Sequence, residues 1–294
     1  MRWENQRRSQ NIENRRGAAR TAGGLGIAFT LLRFIFGRFG IMGIVVVVGA
    51  YFGLKAIGID ALSLIAGGPA QTARQGEEIT SEYDDMVAAV LGGTEDVWTT
   101  VFREQGYGDY PEPTLAFFTQ GVQTACGYAP SSVGPFYCPG DRNVYLDTSF
   151  FDELQRRFGV QGDFPPAYVI AHEVGHHVQT VLGISDQVRQ AQRGASQTVS
   201  NQTQVRMELQ ADCFAGLWAH NWRQGLEEGD IQEAMRAAAA IGDDALQRQS
   251  GARQVNPDSF THGTSDQRMR WFSAGYQSGD FARCDTFSMD YSRL

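Results

Sequence analysis

No two cysteines in this 294-residue chain are spaced C-x-x-C, and only four occur, at 126, 138, 213 and 284. A zinc site built from cysteine sulfur is thereby excluded. Basic charge is missing from the body of the chain. Residues 1–38 carry eight Arg against two Glu, leaving 17 basic and 31 acidic residues beyond them, a balance of −14 within a net charge of −8. Phosphate backbones need a basic face, so no nucleic acid is expected as a partner of that body. There is no internal repeat, which excludes solenoids and propellers. What remains is 42% hydrophobic and 20% charged, ordinary globular material able to bury a sizeable core in one large domain or two small ones.

One apolar run stands apart. Gly40 to Leu54 continues through Ala56–Ile59 past a single Lys55, which can snorkel, and at ~20 residues it matches a bilayer span. Eight Arg before it and one Lys at its far end put the N-terminus in the cytoplasm by the positive-inside rule. The expected organisation is a basic cytoplasmic N-terminus over 1–38, a transmembrane anchor over 39–59, a small and polar linker over 60–80, and a soluble domain over 81–294. The chain would then be a single-pass protein of the cell (inner) membrane with that domain in the periplasm. A cleaved signal peptide, cut near Ala66–Ala70, competes, but a 38-residue basic region suits an uncleaved anchor better. A buried core helix is the third reading. Leu25 to Phe36 is amphipathic at best and suits the membrane surface.

In an oxidising compartment four cysteines allow three disulfide connectivities. Cys126 and Cys138 flank the turn-rich Gly127–Tyr137, which favours a local bridge and leaves Cys213 with Cys284.

Hydrophobic spacing predicts a helix from Tyr83 to Gln105, interrupted at Gly92-Gly93, then short strands at Thr114–Thr119, Phe136–Cys138 and Asn143–Asp147. Further helices are expected from Pro165-Pro166 to Gly183, from Gln202 to Trp222, from Asp230 to Leu246, and from Thr264, which pairs with Gln267 as a capping box. Ser185–Ser200 reads as a solvated helix or a loop. The fold class is α+β, a small sheet on a helical body.

The strongest signal is His172-Glu173-Val174-Gly175-His176, an H-E-x-x-H on a helix. Positions i and i+4 share a face, so both imidazoles can meet one ion while Glu173 reaches its water. With five His and 14 Glu in the chain, chance supplies only about 0.004 such motifs. The long metzincin form would need Gly at 179 and His at 182, where Gln179 and Leu182 stand. Glu208 and Asp212, again i and i+4 and flanked by apolar residues, are the candidates for a third ligand and for a hydrogen bond to a ligating imidazole. Without a metal the pair reads as a solvated acidic face. His177 lies about 100° around the helix from His176 and reads as a surface or supporting residue, and His220 has the same bland reading. His262, beside Gly263 in a loop before a helix, can approach the metal and place a donor near an oxyanion.

These segments resemble the neutral zinc metallopeptidases of bacteria, the YpfJ-like family. The likeness runs through Cys126-Gly-Tyr, Gly134–Pro139, Val144–Asp147, Ala171–Gln179, Glu208–Asp212 and Thr261–Ser265 to Arg268 and Trp271-Phe272, covering nearly the whole chain. A more distant resemblance links the same motifs to the gluzincins of the CAAX-prenyl-protease and heat-shock membrane protease group. That group has Pro after the loop His, where this chain has Gly263. The resemblances imply a zincin-like domain binding Zn2+ through His172, His176 and Glu208, with Glu173 as general base, His262 as oxyanion donor, and Asp212 and Arg268 in support. The expected activity is a membrane-anchored zinc metalloendopeptidase acting on a peptide or protein by a zinc-activated water, the substrate lying along the outermost strand, Asn143–Asp147. A non-catalytic adaptor with a structural zinc is the alternative. It would want four protein ligands, and three are evident. A zinc amidase acting on cell-wall peptides is a third reading.

Overall fold

The computed structural model describes residues 1–16 and 81–294. The described residues form an α+β structure with eight α-helices and two small sheets. Strands β1 (Ile12–Asn14), β2 (Thr114–Phe117), β6 (Asn143–Leu146) and β5 (Phe136–Cys138) lie in the order β1-β2-β6-β5, while β3 (Gly121–Thr124) and β4 (Gly127–Pro130) make a separate hairpin. The β1–β2 and β2–β6 pairs are parallel and β5–β6 is antiparallel. Alternation along β2 and β6 sends Leu115, Phe117, Val144 and Leu146 into the main core and Ala116 and Tyr145 into a second cluster around Phe118 and Cys138. Both faces of the central strands are therefore buried. Because β6 is paired on both sides, the outermost strand beside the helices is β5 and not Asn143–Asp147 as expected.

The first helix, α1 (Glu82–Glu104), starts at Ser81, whose side chain accepts from the Asp84 amide, and Glu82, Asp84 and Asp85 crowd its positive end. It does not break at Gly92-Gly93. A Cβ at Gly92 would sit 2.6 Å from the Arg7 carbonyl, and one at Gly93 2.4 Å from the Trp222 indole nitrogen. The two glycines serve close approach, not interruption.

Arg7 belongs to an N-terminal arm that lies on this helix. The Arg7 guanidinium bonds the Gly92 carbonyl and Glu95, Arg8 holds Asp85 at 2.8 and 2.6 Å, and Arg16 holds Asp84 at 2.7 and 2.6 Å. Ser9 and Asn11 donate to Glu95, and β1 pairs Ile12 with Leu115.

That packing corrects the expected localisation. A single-pass topology puts the basic N-terminus and the main domain on opposite sides of a membrane, whereas residues 1–16 and the domain share one sheet and one core. The expected transmembrane helix over 39–59 lies outside the described residues, as do the linker over 60–80 and the amphipathic stretch 25–36. Among the described residues no helix is long and apolar enough to cross a membrane.

Both disulfides form, Cys126–Cys138 and Cys213–Cys284. Helices α2 (Ser149–Phe158) and α3 (Phe164–Val181) follow the sheet, α3 carrying prolines in its first turn. Next come α4 (Ile184–Gln192) and α5 (Gln197–Asn221). The helix expected over Asp230–Leu246 is two, α6 (Asp230–Ala240) and α7 (Asp243–Gln249), divided at Ile241-Gly242. A Cβ at Gly242 would strike the Ser265 amide nitrogen at 2.4 Å, so the chain turns there against the next helix. That helix, α8 (Ser265–Ser278), begins with the full Thr264–Gln267 capping box.

Candidate metal centre

Three helices meet at the site, and small residues bring them together. A Cβ on Gly175 would lie 3.1 Å from the Ala211 Cα and carbonyl oxygen, so α3 packs on α5 with backbone nearly touching backbone. The α5–α8 contact is tighter still. Cβ atoms on Gly216 and Gly275 would each fall 2.0 Å from a carbonyl oxygen, that of Phe272 and of Cys213. Consequently, His172 and His176 on one face of α3 look directly at Glu208 on α5.

His172 Nε2 stands 3.2 Å and His176 Nε2 3.4 Å from the same Glu208 carboxylate oxygen. The three donors lie within 4.8 Å of one another. Zinc bonds of 2.0–2.2 Å at tetrahedral angles separate neighbouring ligand atoms by about 3.3 Å. The donor set thus fits a zinc ion in both chemistry and spacing.

Each imidazole is held from behind. His172 Nδ1 meets Asp212 Oδ1 at 2.8 Å, and Asp212 in turn accepts from Arg268 Nε and Nη2 at 2.9 and 3.0 Å and from the Tyr168 hydroxyl at 2.6 Å. The three groups are almost fully buried. Burial alone would raise the Asp212 carboxyl, but Arg268 and His172 hold it down to about 2. It therefore stays a charged acceptor that fixes the ring orientation of His172. Behind His176, Nδ1 meets Gln179 Oε1 at 2.9 Å. Arg268 makes its remaining bonds to Tyr168 and the Ile241 carbonyl. It serves Asp212.

Glu173, beside both rings, is only 8% exposed and lines a cavity of ≈ 580 Å3. Burial pushes its carboxyl pKa up, while the neighbouring imidazoles pull it down by less. His262 lines the same cavity. Its loop hangs on Asp243, whose Oδ2 accepts from the amides of Thr261, His262 and Gly263 at 2.7, 2.6 and 2.9 Å. The other carboxylate oxygen lies 3.4 Å from His262 Nδ1. That leaves Nε2 for the cavity. Burial opposes a charge on His262, but the hydrogen bond with Asp243 together with the Glu208 and Asp243 charges outweighs it, raising the imidazole above its usual pKa. Gly263 has φ +94°, which proline, fixed near −65°, cannot adopt. The loop therefore takes a path closed to the proline-containing pattern.

The remaining histidines lie outside the donor set. His177 is fully buried, its Nε2 facing the Pro111 carbonyl at 2.6 Å and its Nδ1 the Tyr137 hydroxyl at 3.2 Å. His220 meets the Tyr276 carbonyl at 2.6 Å. Neither His220 nor Tyr276 is among the described residues lining the cavity. Asp243 and Tyr168 were not legible in the sequence as parts of a site. The only signal for Asp243 is its place at the start of a short helix, 19 residues before the histidine it serves.

The family model described as "Putative neutral zinc metallopeptidase" matches residues 1–287. The chain is 46% identical over 293 residues to "Uncharacterized protein YpfJ" of Escherichia coli (strain K12), covering 98% of this chain and 99% of that one. It is 41% identical over 228 residues to "Uncharacterized protein Rv2575" of Mycobacterium tuberculosis, covering 73% and 74% of the two chains. "Uncharacterized protein Mb2605" of Mycobacterium bovis matches equally. No solved structure matches the chain. A zinc metallopeptidase family implies a Zn2+ cofactor and peptide or protein substrates.

Proposed function

The chain belongs to the family described as "Putative neutral zinc metallopeptidase", and from that premise we propose that it is a zinc-dependent metalloendopeptidase of the gluzincin type. His172, His176 and Glu208 hold the ion. When bound, zinc supplies a Lewis acid that polarises the scissile carbonyl and acidifies water. The observation that carries the reading is the donor triangle, with edges of 3.2 and 3.4 Å, opening onto a cavity that a further carboxylate, Glu173, also lines. Glu173 is not needed to bind metal. A general base is its natural role: burial raises its carboxyl above the usual carboxylate range and so makes it a stronger base, one that can take a proton from the attacking water and pass it to the leaving amine.

His262 donates through Nε2 to the oxygen of the tetrahedral intermediate, its other nitrogen engaged by Asp243. The peptide lies extended along β5, whose far side is unpaired among the described residues and whose Phe136 and Tyr137 line the cavity.

Glu173→Gln tests this in the full-length protein. The amide keeps the shape and cannot accept the proton, so zinc content should match wild type while cleavage of a peptide library falls by at least a hundredfold. Turnover within tenfold of wild type would end the mechanism and return the zinc to a structural role in an adaptor.

A further inference from the structure

The two metal-facing histidines are supported from behind by different chemistry. His172 leans on a charged carboxylate, whereas His176 leans on a neutral amide, and an amide can face either way. A flipped Gln179 would offer N–H to His176 and call for the opposite ring tautomer, with the lone pair on Nδ1 and the proton on Nε2, where the metal should be.

The surroundings forbid that flip. Gln179 Nε2 reaches the Met207 carbonyl at 2.7 Å and Gln210 Oε1 at 3.0 Å, and Gln210 Nε2 reaches the Cys284 carbonyl at 3.0 Å. Backbone carbonyls only accept, so both nitrogens must point at them. The oxygens then face, in order, Gln179 and His176 Nδ1, obliging Nδ1 to carry the proton and freeing Nε2 toward Glu208.

Both amides are buried, Gln179 completely. The far end is pinned as well. Cys284 is bonded to Cys213, one turn beyond Gln210 on α5, and the Thr286 hydroxyl donates to the Arg206 carbonyl at 2.7 Å. Met207, the nearer acceptor, immediately precedes Glu208. Gln179 therefore ties His176 to the backbone that carries the third donor.

We propose that Gln179 and Gln210 are positioning residues for zinc binding by His176, an amide relay whose direction is set by the carbonyls of Met207 and Cys284. The inference rests on the zinc metallopeptidase reading. Relay direction, not contact alone, is what the metal requires. A structural buttress would stabilise the fold with or without zinc, whereas the relay acts on affinity.

Gln179→Met and Gln210→Met keep the volume and delete the amides. In the full-length protein, zinc affinity is read by competition with a chelating dye, alongside the melting temperature of the metal-free form. Gln179→Met should bind zinc about 10–100-fold more weakly, as losses of such supporting bonds do. Gln210→Met should follow in the same direction by a smaller factor, because Met207 still orients Gln179. The metal-free melting temperature should shift far less than a matching loss of fold stability would require.

Zinc affinity within twofold of wild type in both variants would overturn the relay and leave the peptidase reading intact. So would a lowered melting temperature with unchanged affinity. Wild-type protein that binds no stoichiometric zinc would overturn both readings.

Discussion

Replacing Gly175 by alanine perturbs the centre without touching a donor. The new Cβ would lie 3.1 Å from the Ala211 Cα and carbonyl oxygen and 3.3 Å from its Cβ, against about 3.5–4.0 Å for relaxed carbon contacts. The first two are backbone atoms, so no side chain can rotate away, and α3 must part from α5 by about half an ångström. Overpacking of this kind costs about 1–3 kcal/mol. Carried over in full to the edge from His172 Nε2 to Glu208 Oε2, now 3.2 Å, this separation has its largest effect on the donor spacing. It would stretch that edge toward about 3.7 Å, past the ~3.3 Å of a tetrahedral zinc and to the limit of about 0.5 Å within which such sites tolerate misplacement. If half the strain falls on metal binding, the loss is about 1 kcal/mol, and if all of it does, affinity falls by up to about a hundredfold. Chelator competition on purified Gly175→Ala measures the affinity and thermal melting of the metal-free protein measures the fold. An unchanged zinc affinity beside a stability loss of 1 kcal/mol or more would show that the helices absorb the methyl elsewhere and that their close approach does not set the donor spacing.

Three more outcomes are expected. Asp243→Ala unties three backbone amides and one imidazole from the His262 loop; kcat should fall by up to about 10²–10³ with zinc retained, and full activity would remove His262 as oxyanion donor. His177 has its pKa pushed down from 6.5 to about 4 by burial, so the unfolded chain binds the extra proton, and stability complete above pH 6.5 should fall by up to about 3 kcal/mol as pH drops toward 4. Urea titrations of His177→Phe should show a shallower fall over that window. Deleting residues 1–16 removes Arg7, Ser9 and Asn11 from Glu95, whose side chain they help to bury, and the melting temperature should drop by roughly 6–20 °C, as losing the partners of a buried charge costs about 3–5 kcal/mol.

What the sequence discloses about the site follows from the range of the interactions. H-E-x-x-H and E-x-x-x-D are each written within five residues, because one helix face delivers both members of a pair, two donors in the first and a donor with the support of His172 in the second. Their juxtaposition needed only two long helices, and both are evident from apolar spacing and capping residues. The supports are a different matter. Gln179, Gln210 and Asp243 act through amides and carbonyls brought from 28 to 74 residues away or across a loop, and no local pattern distinguishes such a glutamine from a solvated one. Glycine was misread for the same reason. Gly92-Gly93 carries a helix-breaking propensity, but the partners that make small residues necessary there, Arg7 and Trp222, are 85 residues upstream and 129 downstream of their glycines. Strands β3 and β4 fall in a segment rich in Gly, Pro and Ser that propensity assigns to turns, and pairing with each other made them strands.

The arginine count went astray because charge tallies record residues and not their partners. Eight arginines precede the apolar run, and a topology argument weighs all of them as free positive charge. Five of the eight are within the described residues and bonded there: Arg2 to the Leu226 carbonyl, Arg7 to Glu95, Arg8 to Asp85, Arg15 to Glu13 and Tyr145, and Arg16 to Asp84. Two of the acceptors on α1, Asp84 and Asp85, belong to the acidic first turn that also suits its dipole, while Glu95 lies further along the helix. Three of the arginines, Arg7, Arg8 and Arg16, thus set their charge against acids of the body, so part of the +6 excess in the first 38 residues and of the −14 beyond them is one complementary contact seen from its two ends. Sequence separations of 68 to 88 residues conceal it. A basic terminus and an acidic domain in one chain should be weighed against each other as partners before either is assigned to lipid or to a compartment. The experiment that separates the two cases is salt: screening at high ionic strength should loosen an arm held by partly exposed ion pairs such as Arg8–Asp85, while leaving the buried Arg268–Asp212 pair, and with it the metal centre, unchanged.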